Sequence, residues 1–214
     1  MMRAAPFLLA VLTAACGGPP AIRPATPAEH DGLLAQCQAT WAPGEWRVVH
    51  AIRSTLPDGS LGAFIGVTAA EDRGRASRSV LMSLEGIVLL DASWTTDGLV
   101  IHRALPPLDA AGFAEGMVAD VRLILFPPPG RPLAVGTTDD GDVACRWVDE
   151  RGDFVDVALA PSGERRVVSW SADGTMQREA RLGAATRGLF AERVELVAHG
   201  AGGYSLELEL LEVE

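Results

Sequence analysis

From Trp46 onward the chain alternates apolar and polar positions in short runs, each closed by turn residues. The final run shows the pattern most plainly: Tyr204, Leu206, Leu208 and Leu210 face one way, and Ser205, Glu207 and Glu209 the other. A period of two marks a strand in a sheet with one buried and one wet face. Trp46–Thr55 is the first such run and Pro57-Asp58-Gly59 turns it. Gly62–Ala70, Arg78–Leu84, Ile87–Trp94 and Leu99–Ala104 follow, the last pair joined through Thr96-Asp97-Gly98. After a different middle, Asp142–Val148, Phe154–Leu159, Arg165–Ser171 and Thr175–Arg181 resume the pattern, and Glu192–His199 with Tyr204–Leu211 closes it. These runs predict about eleven strands, spaced as in sandwiches and barrels.

Two segments break the period. Ala28–Ala39 reads as a short helix. In the middle, Phe113, Met117, Val121, Ile124 and Leu125 recur at helical spacing, with Asp109 as a candidate N-cap and Pro127 as a stop. Val121–Phe126 reads equally as a strand, and the helix is expected through about Leu123. The pattern therefore predicts a mainly β domain over residues 28–214, its two runs of strands separated by one amphipathic helix.

The first fifteen residues are of another kind. Arg3, an apolar stretch from Ala4 to Leu12, and small Ala14 and Ala15 give the order of a secretory signal peptide over residues 1–15. The stretch is too short to span a bilayer, which takes about 20 apolar residues. Leu12–Cys16 (LTAAC) resembles a lipobox, the site at which bacterial lipoproteins are acylated on cysteine and cleaved. The alternative is an ordinary signal peptide with an incidental cysteine. Lipidation of Cys16 would give a membrane anchor, and Gly17 in place of aspartate points, by that resemblance, to the outer membrane. Residues 16–27, rich in Gly and Pro, read as a flexible tether.

Composition narrows the partners. The net charge is −10, and every basic residue is arginine. An acidic surface is repelled by nucleic acid, so no nucleic-acid partner is expected. Two cysteines remain beyond Cys16, and in an oxidising compartment Cys37 and Cys145 are either bridged or two buried thiols.

Candidate chemistry is sparse. His30, His50, His102 and His199 stand alone, without metal-ligand spacing, and no phosphate loop or nucleophile elbow is present. Asp91, Asp156 and Glu207 are candidate paired carboxylates or simply members of solvated faces. No catalytic residue, metal or cofactor is expected. What remains is apolar: a curved sheet of this length has a concave face, which either side chains or a ligand fills. Met82, Leu84, Trp94, Phe113, Met117, Val121 and Trp170 are the large residues expected near it, as core or as ligand lining.

Three stretches carry a family resemblance: Ser83–Trp94 (SLEGIVLLDASW), Gly98–Pro107 (GLVIHRALPP) and Phe113–Pro128 (FAEGMVADVRLILFPP). Together with the closing Gly203–Glu212 (GYSLELELLE), they resemble a family of proteobacterial lipoproteins grouped with the LolA and LolB lipoprotein carriers. Asp120 and the run Val121–Phe126 occupy the family's acidic residue and its leucine run before a proline. The resemblance implies an incomplete antiparallel β-barrel with a helical lid, a cavity for acyl chains, and a carrier or acceptor role at the outer membrane. It supplies no catalytic residue. A lipid or acyl ligand is the expected partner besides the membrane. The competing expectations are a packed structural lipoprotein that binds an envelope protein, and, with least support, an envelope hydrolase.

Overall fold

The structure is a computed structural model that describes residues 18–71, 76–106, 108–110, 112–149, 151–200 and 202–214. The signal segment and Cys16 lie outside the described residues. In chain order the elements are β1 (Arg23–Pro24), α1 (His30–Gln38), β2 (Trp46–Thr55), β3 (Leu61–Glu71), β4 (Ala76–Ser83), β5 (Val88–Thr95) and β6 (Gly98–Ala104). Then come α2 (Phe113–Leu125), β7 (Ala134–Thr137), β8 (Val143–Val148), β9 (Phe154–Leu159), β10 (Arg165–Trp170) and β11 (Met176–Leu182). The chain finishes with β12 (Ala185–Arg187), β13 (Phe190–Ala191), β14 (Arg193–Ala198) and β15 (Tyr204–Val213).

Thirteen of these strands form one antiparallel sheet in the order β1, β7, β8, β9, β10, β11, β14, β15, β2, β3, β4, β5, β6. The ladder ends at β1 and β6, so the barrel is incomplete, as the resemblance implies. A sheet this wide does not stay flat, because each strand pair adds right-handed twist. Register shifts at Leu81/Met82, Asp91/Ala92, Ser169/Trp170 and Leu210/Glu212 sharpen the curl.

Topology then fixes α2. The β2–β6 meander ends at one edge of the sheet, and β7 starts beside the opposite edge. The connection must cross the sheet, and α2, about 20 Å long by helix geometry, crosses with its apolar stripe turned inward. Its N-cap is Gly112 at φ +80°, a conformation that favours glycine, rather than Asp109. Phe126 is extended ahead of Pro127 and ends the helix one turn's fraction past the expected Leu123.

Each of the eleven expected runs falls on a strand of the large sheet. The four further strands were not legible, being two to four residues long and rich in Pro, Gly or Ala. One of them alters the picture of the N-terminus. Residues 18–27, read from composition as a flexible tether, lie against the domain: β1 pairs Arg23 with Thr137 and Pro24 with Gly136. Arg146 Nη2 donates to the Pro20 carbonyl at 2.8 Å.

The interior is divided. Under the second half of the sheet, α1, Trp41, Trp147 and the C-terminal end of α2 pack into one core. Trp46 wedges into it between Phe126 and Phe190, with ring centroids 5.2 and 5.1 Å away. Under the first half, Leu81, Leu90, Leu108, Ala114 and Val118 form a smaller cluster. A disulfide joins Cys37 of α1 to Cys145 of β8, closing a loop across 108 positions of sequence. Both cysteines are fully buried, so the bridge clamps α1 over the packed half. The double variant Cys37→Ala/Cys145→Ala is expected to lose about 2–5 kcal/mol in a denaturant titration; an unchanged midpoint would show that α1 packing alone holds that half.

Candidate ligand cavity

Inward positions of β2 to β5 present Ile52, Phe64, Leu81 and Leu90 to the concave side, and β15 adds Leu206 and Leu208. Opposite them, α2 offers Phe113, Met117 and Val121, which share a face because they are spaced by four. Between the helix and these strands lies a cavity of about 140 Å³. Its walls are apolar but for His50, Ser54, Thr68, Ser79, Asp120 and Tyr204. Gly66 belongs to this wall, and a Cβ there would stand 2.7 Å from Ile52 Cδ1. The glycine thus gives Ile52 its place.

Of the seven large residues expected near the concave face, Phe113, Met117 and Val121 line the cavity. The other four do not. In β4 the buried positions are Ser77, Ser79 and Leu81, so Met82 points away, and Leu84 is exposed in the following turn. Trp94 lies under the Arg122 guanidinium, 3.3 Å from its ring centroid. Trp170 lies between a crevice that it shares with Pro20 and Ile22 and a separate opening of about 430 Å³ beside Ala119 and Leu123 of α2. Strand parity, read from the alternation, could have found Leu81, Leu206 and Leu208; the inward turn of His50 and Phe64 depended on the same parity in β2 and β3.

The candidate carboxylates pair with arginines and not with one another. Arg78 Nη2 donates to Asp91 at 2.7 Å, Arg146 holds Asp156 at 2.6 and 2.8 Å, and Arg53 lies 3.7 Å from Glu207. His102 bonds Ser93 Oγ at 2.8 Å and His30 lies 3.3 Å from Asp31. Among the described residues no group of three or more His, Cys, Asp or Glu could hold a metal ion.

The helix is tied down by charge as well as by packing. Asp120, nearly fully buried on α2, accepts hydrogen bonds from Arg178 Nε of β11 and from the Tyr204 hydroxyl of β15. Burial pushes the Asp120 carboxyl above its ordinary range, against the pull of Arg178 and Tyr204. Burial, and then the Asp120 charge, push the Tyr204 hydroxyl up as well. Gly116 faces this contact, and a Cβ there would lie 3.4 Å from Arg178 Nη2, at ordinary van der Waals distance. At the other end of α2, Arg165 stacks over Trp41 and donates to the carbonyls of Thr40 and Ile124, where a cation meets the negative end of the helix. Its burial lowers its pKa to about 10.

Removing one member of the Asp120 pair leaves a buried charge alone. Arg178→Met is expected to cost about 3–5 kcal/mol in chemical denaturation, and Asp120→Leu/Arg178→Met to recover most of it; equal loss in both variants would place the cost in lost packing and hydrogen bonds and not in a stranded charge. His50 supplies a pH dependence. Burial depresses its folded pKa to about 4, so the unfolded chain takes up the proton first as pH falls. Stability contributed by neutral His50 is complete above about pH 6.5 and is lost progressively down to about 4, up to about 3 kcal/mol in all. Unfolding curves across that window should flatten in His50→Gln; a slope unchanged by the substitution would assign the pH dependence elsewhere.

No protein-family model and no curated protein matches the sequence. Solved structures do. A LolA superfamily protein from Nitrosomonas europaea superposes with a TM-score of 0.54 at 12% identity, over 86% of this chain and 92% of that one. An outer membrane lipoprotein-sorting protein domain from Vibrio parahaemolyticus gives 0.43 at 12% identity, over 88% and 93%. On the superposition with the Nitrosomonas europaea protein, the open antiparallel sheet with a helix laid across its concave face is a LolA-like fold.

Proposed function

We propose that this protein is an envelope lipoprotein that binds an apolar ligand, an acyl chain or a lipidated protein, as carrier or acceptor. The observation that carries this reading is the cavity between α2 and the first half of the sheet. Natural cores are packed to near-crystalline density, yet here about 140 Å³ stays open within an apolar wall. An apolar cavity of about 150 Å³ stays dry and takes up benzene, so this one accepts a chain segment of that girth. A longer chain needs Phe113 and Met117, on the first turns of α2, to give way. Methionine does so readily. The driving force is about 25 cal/mol for each Å² of apolar surface buried. Acylation of Cys16 would anchor the domain, and two or more acyl chains hold firmly at about 0.8 kcal/mol per buried methylene. The outer membrane is its proposed site. No helix among the described residues is long and apolar enough to cross a membrane.

In this reading the protein has no catalytic role, and Asp120 and Tyr204 at the cavity wall serve to fasten α2. The disulfide-linked core under the second half favours a different account, a scaffold that binds an envelope protein, and one experiment separates them. Native mass spectrometry with lipid extraction on the Cys16→Ser chain should show one acyl species at near-stoichiometric amount. Val121→Trp, which fills the cavity, should lower uptake of a fluorescent fatty acid at least about tenfold while costing no more than the ~1–3 kcal/mol of an overpacked core. An apo mass with no uptake of added lipid would leave the scaffold as the better account.

A further inference from the structure

The ladder registers collect five turns at one end of the sheet. Thr55 stands opposite both Leu61 and Ser205, Phe64 opposite Ser83, Phe154 opposite both Val148 and Trp170, and Ala198 opposite both Arg178 and Tyr204. The β2–β3, β4–β5, β8–β9, β10–β11 and β14–β15 turns therefore share a rim. Leu133 joins it, its N–H donating to the Arg146 carbonyl beside the end of β8.

The most exposed large apolar side chains of the described residues sit on this rim: Leu61 at 81%, Leu84 and Leu133 at 65%, and Ile87 at 54%. Isolated exposed leucines are ordinary, whereas apolar side chains gathered on one surface mark an interaction site. The N-terminal segment says what covers it. From β1 the chain runs back past Arg146 to the β10–β11 turn, where a Cβ on Gly174 would lie 3.4 Å from Gly18 Cα and Pro19 Cδ. Cys16 precedes Gly18 by two residues, which reach at most ~7 Å. An acylated Cys16 would thus lie within reach of this rim. The cavity extends toward it as well, through Leu56, Phe64, Leu89 and Tyr204.

We propose that this rim is the membrane-facing surface of the protein, seated on a zwitterionic bilayer with the cavity turned toward the lipid. The proposal rests on the reading of Cys16 as acylated. Asp58, Glu85, Asp149, Asp153 and Asp173 lie in the same turns. With a net charge of −10 they repel anionic headgroups within a Debye length of about 8–10 Å, so neutral phosphatidylcholine is the surface that fits. The leucines enter the interface while the acids stay at headgroup level.

The test uses the acylated chain, in which Cys16 and the disulfide leave an added cysteine as the sole free thiol. Leu61→Cys and Ile87→Cys report on the rim; Leu189→Cys and Leu211→Cys report on the opposite end. Each carries a polarity-sensitive fluorophore and is floated on phosphatidylcholine vesicles containing a spin-labelled lipid that quenches at interface depth. The rim labels should shift to the blue and be quenched at least about threefold more than the far labels, as for side chains ~5–10 Å into the interface. Replacing part of the lipid with phosphatidylglycerol should reduce that difference. Flotation with equal quenching at both ends would overturn the seating and leave the anchor intact, whereas failure to float would overturn the anchor and the seating with it.

Discussion

The placement of α2 over the concave sheet is the constraint on which the rest depends. Because the chain leaves the sheet at one edge and re-enters at the other, a single helix has to span the open interior. Three interactions fix where it lies: the apolar stripe Phe113–Met117–Val121, the Asp120–Arg178–Tyr204 cluster, and Arg165 at its C-terminal carbonyls. The first is non-directional and would tolerate sliding. The other two are directional, and Asp120, being buried, penalises any arrangement that parts it from its donors.

That helix divides the barrel into unequal halves. On one side, α1 is clamped by the disulfide, and Trp41, Trp46 and Trp147 fill the space that curvature creates. On the other, the inward residues are of medium size and two of the wall positions, Gly66 and Ser54, contribute little volume. The disulfide-linked core on one side holds the fold together, while the apolar cavity on the other stays open.

The N-terminal segment couples this interior to the surface. Its docking lays a stretch that composition describes as loose against the sheet and brings Gly18 to the rim at Gly174. The contacts responsible are backbone pairing with β7 and one arginine reaching a proline carbonyl. Neither has a signature in Gly- and Pro-rich sequence, because backbone groups pair with whatever edge is presented to them.

Much of the architecture was legible in the chain. Alternation of period two placed all eleven long strands, and the helical spacing with Pro127 placed α2, because each pattern reports the local geometry that buries it. The signal-like first fifteen residues, the acidic balance and the two cysteines likewise belong to the sequence. What only the tertiary structure decided is which positions meet. Met82, Leu84, Trp94 and Trp170 were candidates for the cavity on size alone, and strand parity, a turn, an arginine and the docked N-terminal segment placed them elsewhere. The Arg78–Asp91 and Arg146–Asp156 pairs, the Asp120 cluster and the buried His50 arise between elements far apart in sequence. Period and propensity act over a few neighbours, whereas cavities, ion pairs and rims are made by the registers that join distant strands.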